Sequence, residues 1–297
     1  MNQKELESIR KAGKIVASVR EYAEKIVKKD MLLIEIAEEI EEEIVKQGGK
    51  PAFPVNLGIN EYAAHYTPSY NDETKASGLL KVDFGVSING FTADNALSFD
   101  LENSEENKKI IKTSEEALAN AIQAVKQGKS LGEIGKSINE TAETSGFTTI
   151  KNLSGHSIEN NNLHAGITIP NYNNDKATKL DDGIYAIEPF ITLGSGNGMV
   201  YDGKPSGIYE LVKPGNVRDN NARELLNYIA EEYETLPFCS RWLVKKFGTR
   251  ALISLSHLEK AGILHQFSQL IEKSKSPVAQ SEHTIIIHNG KVEVVTE

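Results

Sequence analysis

An Asn-Gly dipeptide at 89–90 is flanked by two runs in which apolar and polar residues alternate, Val82 to Ile88 and Phe91 to Leu97. Asn-Gly supplies the two positive-φ positions of a tight turn, and alternation is the period of a strand, so the spacing predicts an antiparallel hairpin. A two-residue loop sets the register: Ile88 faces Phe91, Asp83 pairs with Ala96, and Asp94 pairs with Gly85. Paired residues share a face, as do residues two apart on one strand. Asp83 and Asp94 therefore point the same way as diagonal neighbours, about 7–8 Å apart at the backbone. Ser87 and Thr92 lie on that face, whereas Val82, Phe84, Val86, Ile88, Phe91 and Leu97 cover the other and are assigned to the core.

Two acids on one sheet face are either solvated, as an antiparallel sheet with one wet side allows, or ligands. Three later residues bear on the choice. His156 lies in Ser154-Gly155-His156, after the segment Ile150 to Leu153, and the glycine permits a close backbone approach. Glu188 ends the apolar run Ile184 to Ile187 before Pro189, which marks a strand end because it cannot donate to a ladder. Glu282 opens the apolar strand Thr284 to Ile287. Each alone reads equally well as a surface residue. Together, four carboxylates and an imidazole cannot share a low-dielectric pocket without cations, because like charges push one another's pKa values up. Hard oxygen donors with a single nitrogen suit two divalent ions, and Co, Mn, Fe and Zn all fit. If the five converge, they make a two-metal hydrolase site.

Bulk properties narrow the class. The net charge of −9 over 297 residues excludes a constitutive binder of phosphate backbones, so DNA is not an expected partner. No apolar run approaches the ~18 residues of a membrane span, and Met1 to Glu5 lacks the apolar stretch of a signal peptide. Cys239 is the lone cysteine, which excludes an intrachain disulfide and fits a reducing compartment. Between Phe238 and Ser240, it reads as a packing residue rather than a nucleophile. The expected location is the cytoplasm.

Apolar residues at three- and four-residue steps predict a long helix over Leu6 to Ile26 and a second over Leu33 to Ile44, stopped at Gly48-Gly49. An irregular stretch, Pro51 to Ser69, carries Phe53-Pro54 and His65, and such loops hold binding residues more often than core. The pattern then repeats: helices through Ile111, Leu118, Ile122 and Val125 and through Leu131 to Ala142, then strands near Thr148 to Leu153 and Gly183 to Phe190. Two halves of similar architecture follow from this echo. Between Phe190 and Pro277, Gly194 to Gly198 lacks the ending of a phosphate loop. Helices are expected at Ala222 to Glu234, Trp242 to Phe247 and Ala251 to Ala261. The chain closes with a second hairpin around Asn289-Gly290.

With these residues assembled, the chain resembles the type 2 methionine aminopeptidases. The likeness rests on Phe53-Pro54, Ala64-His65-Tyr66-Thr67-Pro68, Val82-Asp83-Phe84-Gly85, Asp94, Ser154-Gly155-His156 with Leu163-His164-Ala165-Gly166, Ala186-Ile187-Glu188-Pro189-Phe190 and Gln280-Ser281-Glu282-His283-Thr284. These occur in the family's order along nearly the whole chain. Lacking the charged N-terminal extension of eukaryotic forms, it is similar to the archaeal type. The resemblance implies an α+β pita-bread fold, with duplicated halves around a curved antiparallel sheet and a mainly helical insert. Residues 1–200 and 272–297 would form the catalytic domain and 201–271 the insert. It implies two divalent metal ions per chain, with Asp83 on one, Asp94 and Glu282 bridging both, and His156 with Glu188 on the other. His65 and His164 would border the substrate, with His164 donating to the oxyanion, Glu188 shuttling protons and Phe53, Leu163 and Phe190 lining the methionine pocket.

The implied activity is removal of N-terminal methionine, when the second residue is small, through a metal-activated bridging hydroxide. The implied partners are nascent polypeptide N-termini, at the ribosome or free, and the chain is read as a monomer with no membrane association. Rival readings are a pita-bread peptidase cleaving before proline and a non-catalytic pita-bread scaffold protein that binds RNA or ribosomes.

Overall fold

In the computed structural model, which describes residues 1–297, four helices are laid in two pairs over two antiparallel sheets. Helix α1 (Gln3–Ile26) starts where the Asn2 side chain accepts from the N–H groups of Lys4 and Glu5, while Glu5 returns a carboxylate oxygen to the Asn2 N–H. Helix α2 (Leu33–Lys46) ends just before Gly48, which takes a φ of 82° closed to most side chains. Helix α3 (Glu105–Lys126) is capped by Ser104 and α4 (Leu131–Thr144) by a reciprocal Ser130–Glu133 pair. Such caps satisfy N–H groups that have no partner within the helix.

The hairpin forms as read, with longer arms. Leu79–Ile88 and Phe91–Asp100 pair over ten residues each, with Ile88 opposite Phe91, Asp83 opposite Ala96 and Gly85 opposite Asp94. Val82, Phe84, Val86, Ile88 and Leu97 face α1 and α2 in one buried cluster, and Phe91 packs against its edge. In the second half the order is Lys291–Val294, His283–His288, Gly183–Ile187, Ser154–Ile158 and Thr168–Pro170, all antiparallel. Helices α3 and α4 cover that sheet in a second cluster, so the chain is duplicated in architecture.

Local departures from the pattern have backbone causes. The run 148–153 is not one strand: Phe147–Thr149 and Ser154–Ile158 belong to different sheets. Between them Lys151 donates its N–H to Gly198 O, and the Asn152 side chain brackets Val200 through its N–H and C=O. The run 183–190 breaks at Glu188-Pro189 into Gly183–Ile187 and Phe190–Leu193. In α3 Ile110 is fully buried, whereas its neighbour Ile111 packs at the rim of the cluster.

Three helices occupy the 201–271 segment: α5 (Asn220–Glu232), α6 (Ser240–Phe247) and α7 (Ala251–Lys260), around an apolar cluster of their own. They rest on a long antiparallel ribbon, Val200–Leu211 paired with Leu264–Glu272. Its register shifts near Pro205 and Gly207 break the alternation by which strands are recognised.

Candidate metal centre

Asp94 and Glu282 meet because the second hairpin strand lies along residues 280–284. Asn95 Nδ2 donates to Glu282 O at 2.7 Å, Glu282 N to Ala96 O at 3.0 Å, and Ser98 Oγ to Gln280 O at 2.8 Å. His156 enters from the neighbouring strand of the second sheet. A Cβ on Gly155 would sit 2.4 Å from Ala186 O, so only glycine lets that strand approach its partner closely enough. His156 Nε2 lies 3.8 Å from Asp94 Oδ2 and 3.5 Å from Glu188 Oε1. Ligand atoms of Asp94, His156 and Glu282 all fall within 4.8 Å of one another. Asp83 faces the same cavity, and Glu188 is steadied by Gln280 Nε2 at 3.3 Å.

The electrostatics of this cluster require either protons or cations on its carboxylates. Burial holds the Asp83 carboxyl up at about 7. Burial, followed by repulsion from neighbouring carboxylates, drives Asp94, Glu188 and Glu282 well above the ordinary range. Asp94 Oδ1 and Glu282 Oε1 are buried with no hydrogen-bond partner, a cost that divalent ions would remove. The imidazole fits as well. Its Nδ1 contacts the Ser157 carbonyl at 3.4 Å, which requires the proton on Nδ1 and leaves the Nε2 lone pair toward the carboxylates. Burial, then His164, lowers its pKa to about 3, so the ring is neutral as a ligand must be. The residues present fit divalent cations.

Metallopeptidase family M24 matches residues 7–234, the stretch that carries four of these five side chains. The chain belongs to that family. Among its curated relatives, the methionine aminopeptidase of Methanocaldococcus jannaschii is 41% identical over 98% of both chains. That of Pyrococcus abyssi is 43% identical over 99% of this chain and 100% of its own. Solved structures share the pita-bread fold of the family at lower identity. Methionine aminopeptidase from Thermotoga maritima superposes with a TM-score of 0.71 at 23% identity, covering 100% of this chain and 98% of that one. A thermophilic Arx1 gives 0.83 at 14% identity, covering 99% and 91%. Prolidase from Pyrococcus furiosus gives 0.62 at 16% identity, and 64% of its chain is covered.

In this M24 chain the five ligand candidates line one cavity of about 310 Å³, together with His65, His164, Phe53, Leu163 and Phe190. Phe53 and Leu163 share a small apolar cluster with Ala52, and a Cβ on Gly85 would sit 2.6 Å from the Phe53 ring. His65 adopts a φ of 59° and donates Nδ1–H to Ser268 O at 3.2 Å. Burial, then His164, lowers its pKa to about 4. The His164 ring meets His156 edge to face at 4.5 Å and borders open space in the cavity, and its pKa too is lowered by burial.

Sequence reasoning missed part of the wall. Ile208, Pro237, Phe267 and Leu270 close the cavity from the 201–271 side, with the Phe267 ring edge-on to His65 at 5.2 Å. Nothing in the ribbon's periodicity singled them out. Gln280 and Thr284 hold ligands in place, through Glu188 and through the Asp94 backbone, and nothing in the spacing of residues 280–284 marks them for it.

Proposed function

We propose that the chain is a methionine aminopeptidase: it removes N-terminal methionine from peptides and nascent proteins whose second residue is small. The observation that carries this reading is a buried acid–imidazole cluster at the floor of an apolar cavity. It is supported by full-length relatives, 41% and 43% identical, that bear that name. Asp83, Asp94, His156, Glu188 and Glu282 would hold two divalent ions, Asp94 and Glu282 serving both. Such ions supply Lewis acidity, acidifying a water and polarising the scissile carbonyl.

The protein's own groups do the rest. Phe53, Leu163 and Phe190, all on the cavity wall, would offer a flexible thioether the apolar and aromatic contacts it favours. His164, neutral at physiological pH, offers an N–H to the oxygen that gains charge in the transition state. Glu188 takes a proton from the attacking water and returns it to the amide nitrogen as the C–N bond breaks. His65, with its proton held on Nδ1 by Ser268, presents Nε2 beside the substrate as an acceptor.

Residues 201–271 are read as an insert subdomain that completes the cavity wall, and 1–200 with 272–297 as the catalytic unit. No helix is long and apolar enough to cross a membrane, and the lone cysteine is buried and unpaired. The chain is read as a monomer acting in the cytoplasm on emerging or released N-termini. Assay of the metal-stripped chain on Met-Ala-Ser and on an Xaa-Pro peptide, with each ion added back, tests the reading. Metal-dependent release of methionine is expected, and turnover of the Xaa-Pro peptide alone would overturn it.

A further inference from the structure

A buried ion pair that does not line the cavity joins the insert to the catalytic half. Glu41 on α2 and Arg241 on α6 are 7% and 2% exposed. The carboxylate accepts from Arg241 Nη1 and Nη2, each at 2.8 Å, and from Trp242 Nε1 at 2.8 Å. Its remaining contact is the Val55 N–H at 3.3 Å. Arg241 Nε donates to Pro68 O at 3.1 Å. Val55 and Pro68 bracket the segment that carries His65. The sequence pattern reads it as irregular, but it holds two short strands, Asn56–Ile59 and Tyr62–Ala64, paired to the hairpin and to the ribbon. Phe53 lies two residues before Val55. The two ends of the segment are bonded to each other through Thr67 Oγ1 to Val55 O at 2.9 Å.

We propose that Glu41 and Arg241 are positioning residues for substrate specificity, acting as a clamp that sets the Phe53 and His65 wall against the insert. Planar fork-to-fork pairing fixes orientation as well as distance. A buried ion pair is poor evidence for stability but well suited to selecting one arrangement of the elements it joins. Here those elements are α2, the 53–68 segment and α6; the segment lines the cavity through Phe53, Asn56, Ala64 and His65, and Pro237, three residues before α6, lines it from the insert side. This inference rests on the aminopeptidase reading.

The test uses metal-loaded full-length protein on Met-Ala-Ser. Removing one partner alone would strand a buried charge, so the primary variant is the pair Glu41→Gln with Arg241→Met. Arg241→Lys, which keeps the charge and loses the fork, decides the matter if the pair fails to fold. Trp242 is the only tryptophan, so its emission reports directly on the opened clamp. With metal content unchanged, KM should rise about tenfold and kcat change less than about twofold, the signature of lost binding held in common by ground and transition state. Lys245→Ala, which removes the exposed pairs with Glu38 and Glu42, should leave both constants alone. A wild-type KM in a folded variant whose Trp242 emission has shifted would overturn the clamp. Wild-type protein that never releases methionine would overturn the aminopeptidase reading itself.

Discussion

The Thr284 hydroxyl bonds the backbone of Asp94 twice, accepting from its N–H at 2.7 Å and donating to its C=O at 2.9 Å. One side chain therefore sets the separation between the hairpin and the strand just after Glu282. Thr284→Val keeps the shape and removes both bonds. It should cost about 1–3 kcal/mol, because a buried N–H is left without a partner. It should also weaken divalent-ion affinity about 10–100-fold, as losing an outer partner of a ligand does. Thermal unfolding and calorimetric titration with Mn²⁺ check both, and wild-type affinity would detach Thr284 from the centre.

The stabilisation conferred by divalent ions should grow with pH. Without them, the folded-state pKa of Asp83 stands at about 7, and those of Asp94, Glu188 and Glu282 are also raised, against about 4 when unfolded. The metal-free folded state then binds more protons than the unfolded chain, so these groups stabilise it at low pH and that contribution is lost as pH rises through about 7. His65 and Lys81, lowered by burial to about 4 and about 7, contribute equally with and without metal and drop out of the difference. The gap in Tm between metal-loaded and EDTA-treated protein should be wider at pH 7.5 than at pH 5.5. A gap that narrows would mean the carboxylates are ionised without cations.

His164→Ala separates chemistry from metal binding. Both ions and the fold should be kept, while kcat and kcat/KM fall together by about 10²–10³, the usual effect of one lost oxyanion donor. Metal analysis and steady-state kinetics on one preparation decide it. Loss of an ion would make His164 a ligand.

Cys239 should be chemically silent. Its thiol is fully buried, and burial pushes its pKa up to about 12 despite the nearby Arg241 guanidinium. Iodoacetamide at pH 8 should label the unfolded chain and spare the native one, and Cys239→Ala should keep full turnover. Inactivation by labelling of the native chain would contradict this.

The hairpin's register was legible to the residue, though not the length of its arms, because Asn89-Gly90 leaves one way to count across the turn, and the count alone puts Asp83 and Asp94 on one face. Helix positions were legible for the same kind of reason, a short period repeated many times. The union of Asp94 with Glu282 had no such signal in spacing: Asn95, Ser98 and Thr284 make it through side-chain bonds at irregular intervals. It was read from a resemblance of motifs. The wall formed by Ile208, Phe267 and Leu270 escaped because Pro205 and Gly207 disturb the ribbon that carries it. The Glu41–Arg241 pair escaped because a charged helix face looks solvated until its partner, 200 positions away, is seen.

Asp94 and Thr284 are 190 positions apart. Contacts of that separation form late, since the entropy of closing the intervening chain must be met first. An early hairpin offers two carboxylates on one sheet face and nothing else to hold an ion. The full set exists only once both halves have docked, so the complete ligand set belongs to the folded chain and to no part of it alone. A chain stalled before that step is an inert one, unable to trim the proteins around it.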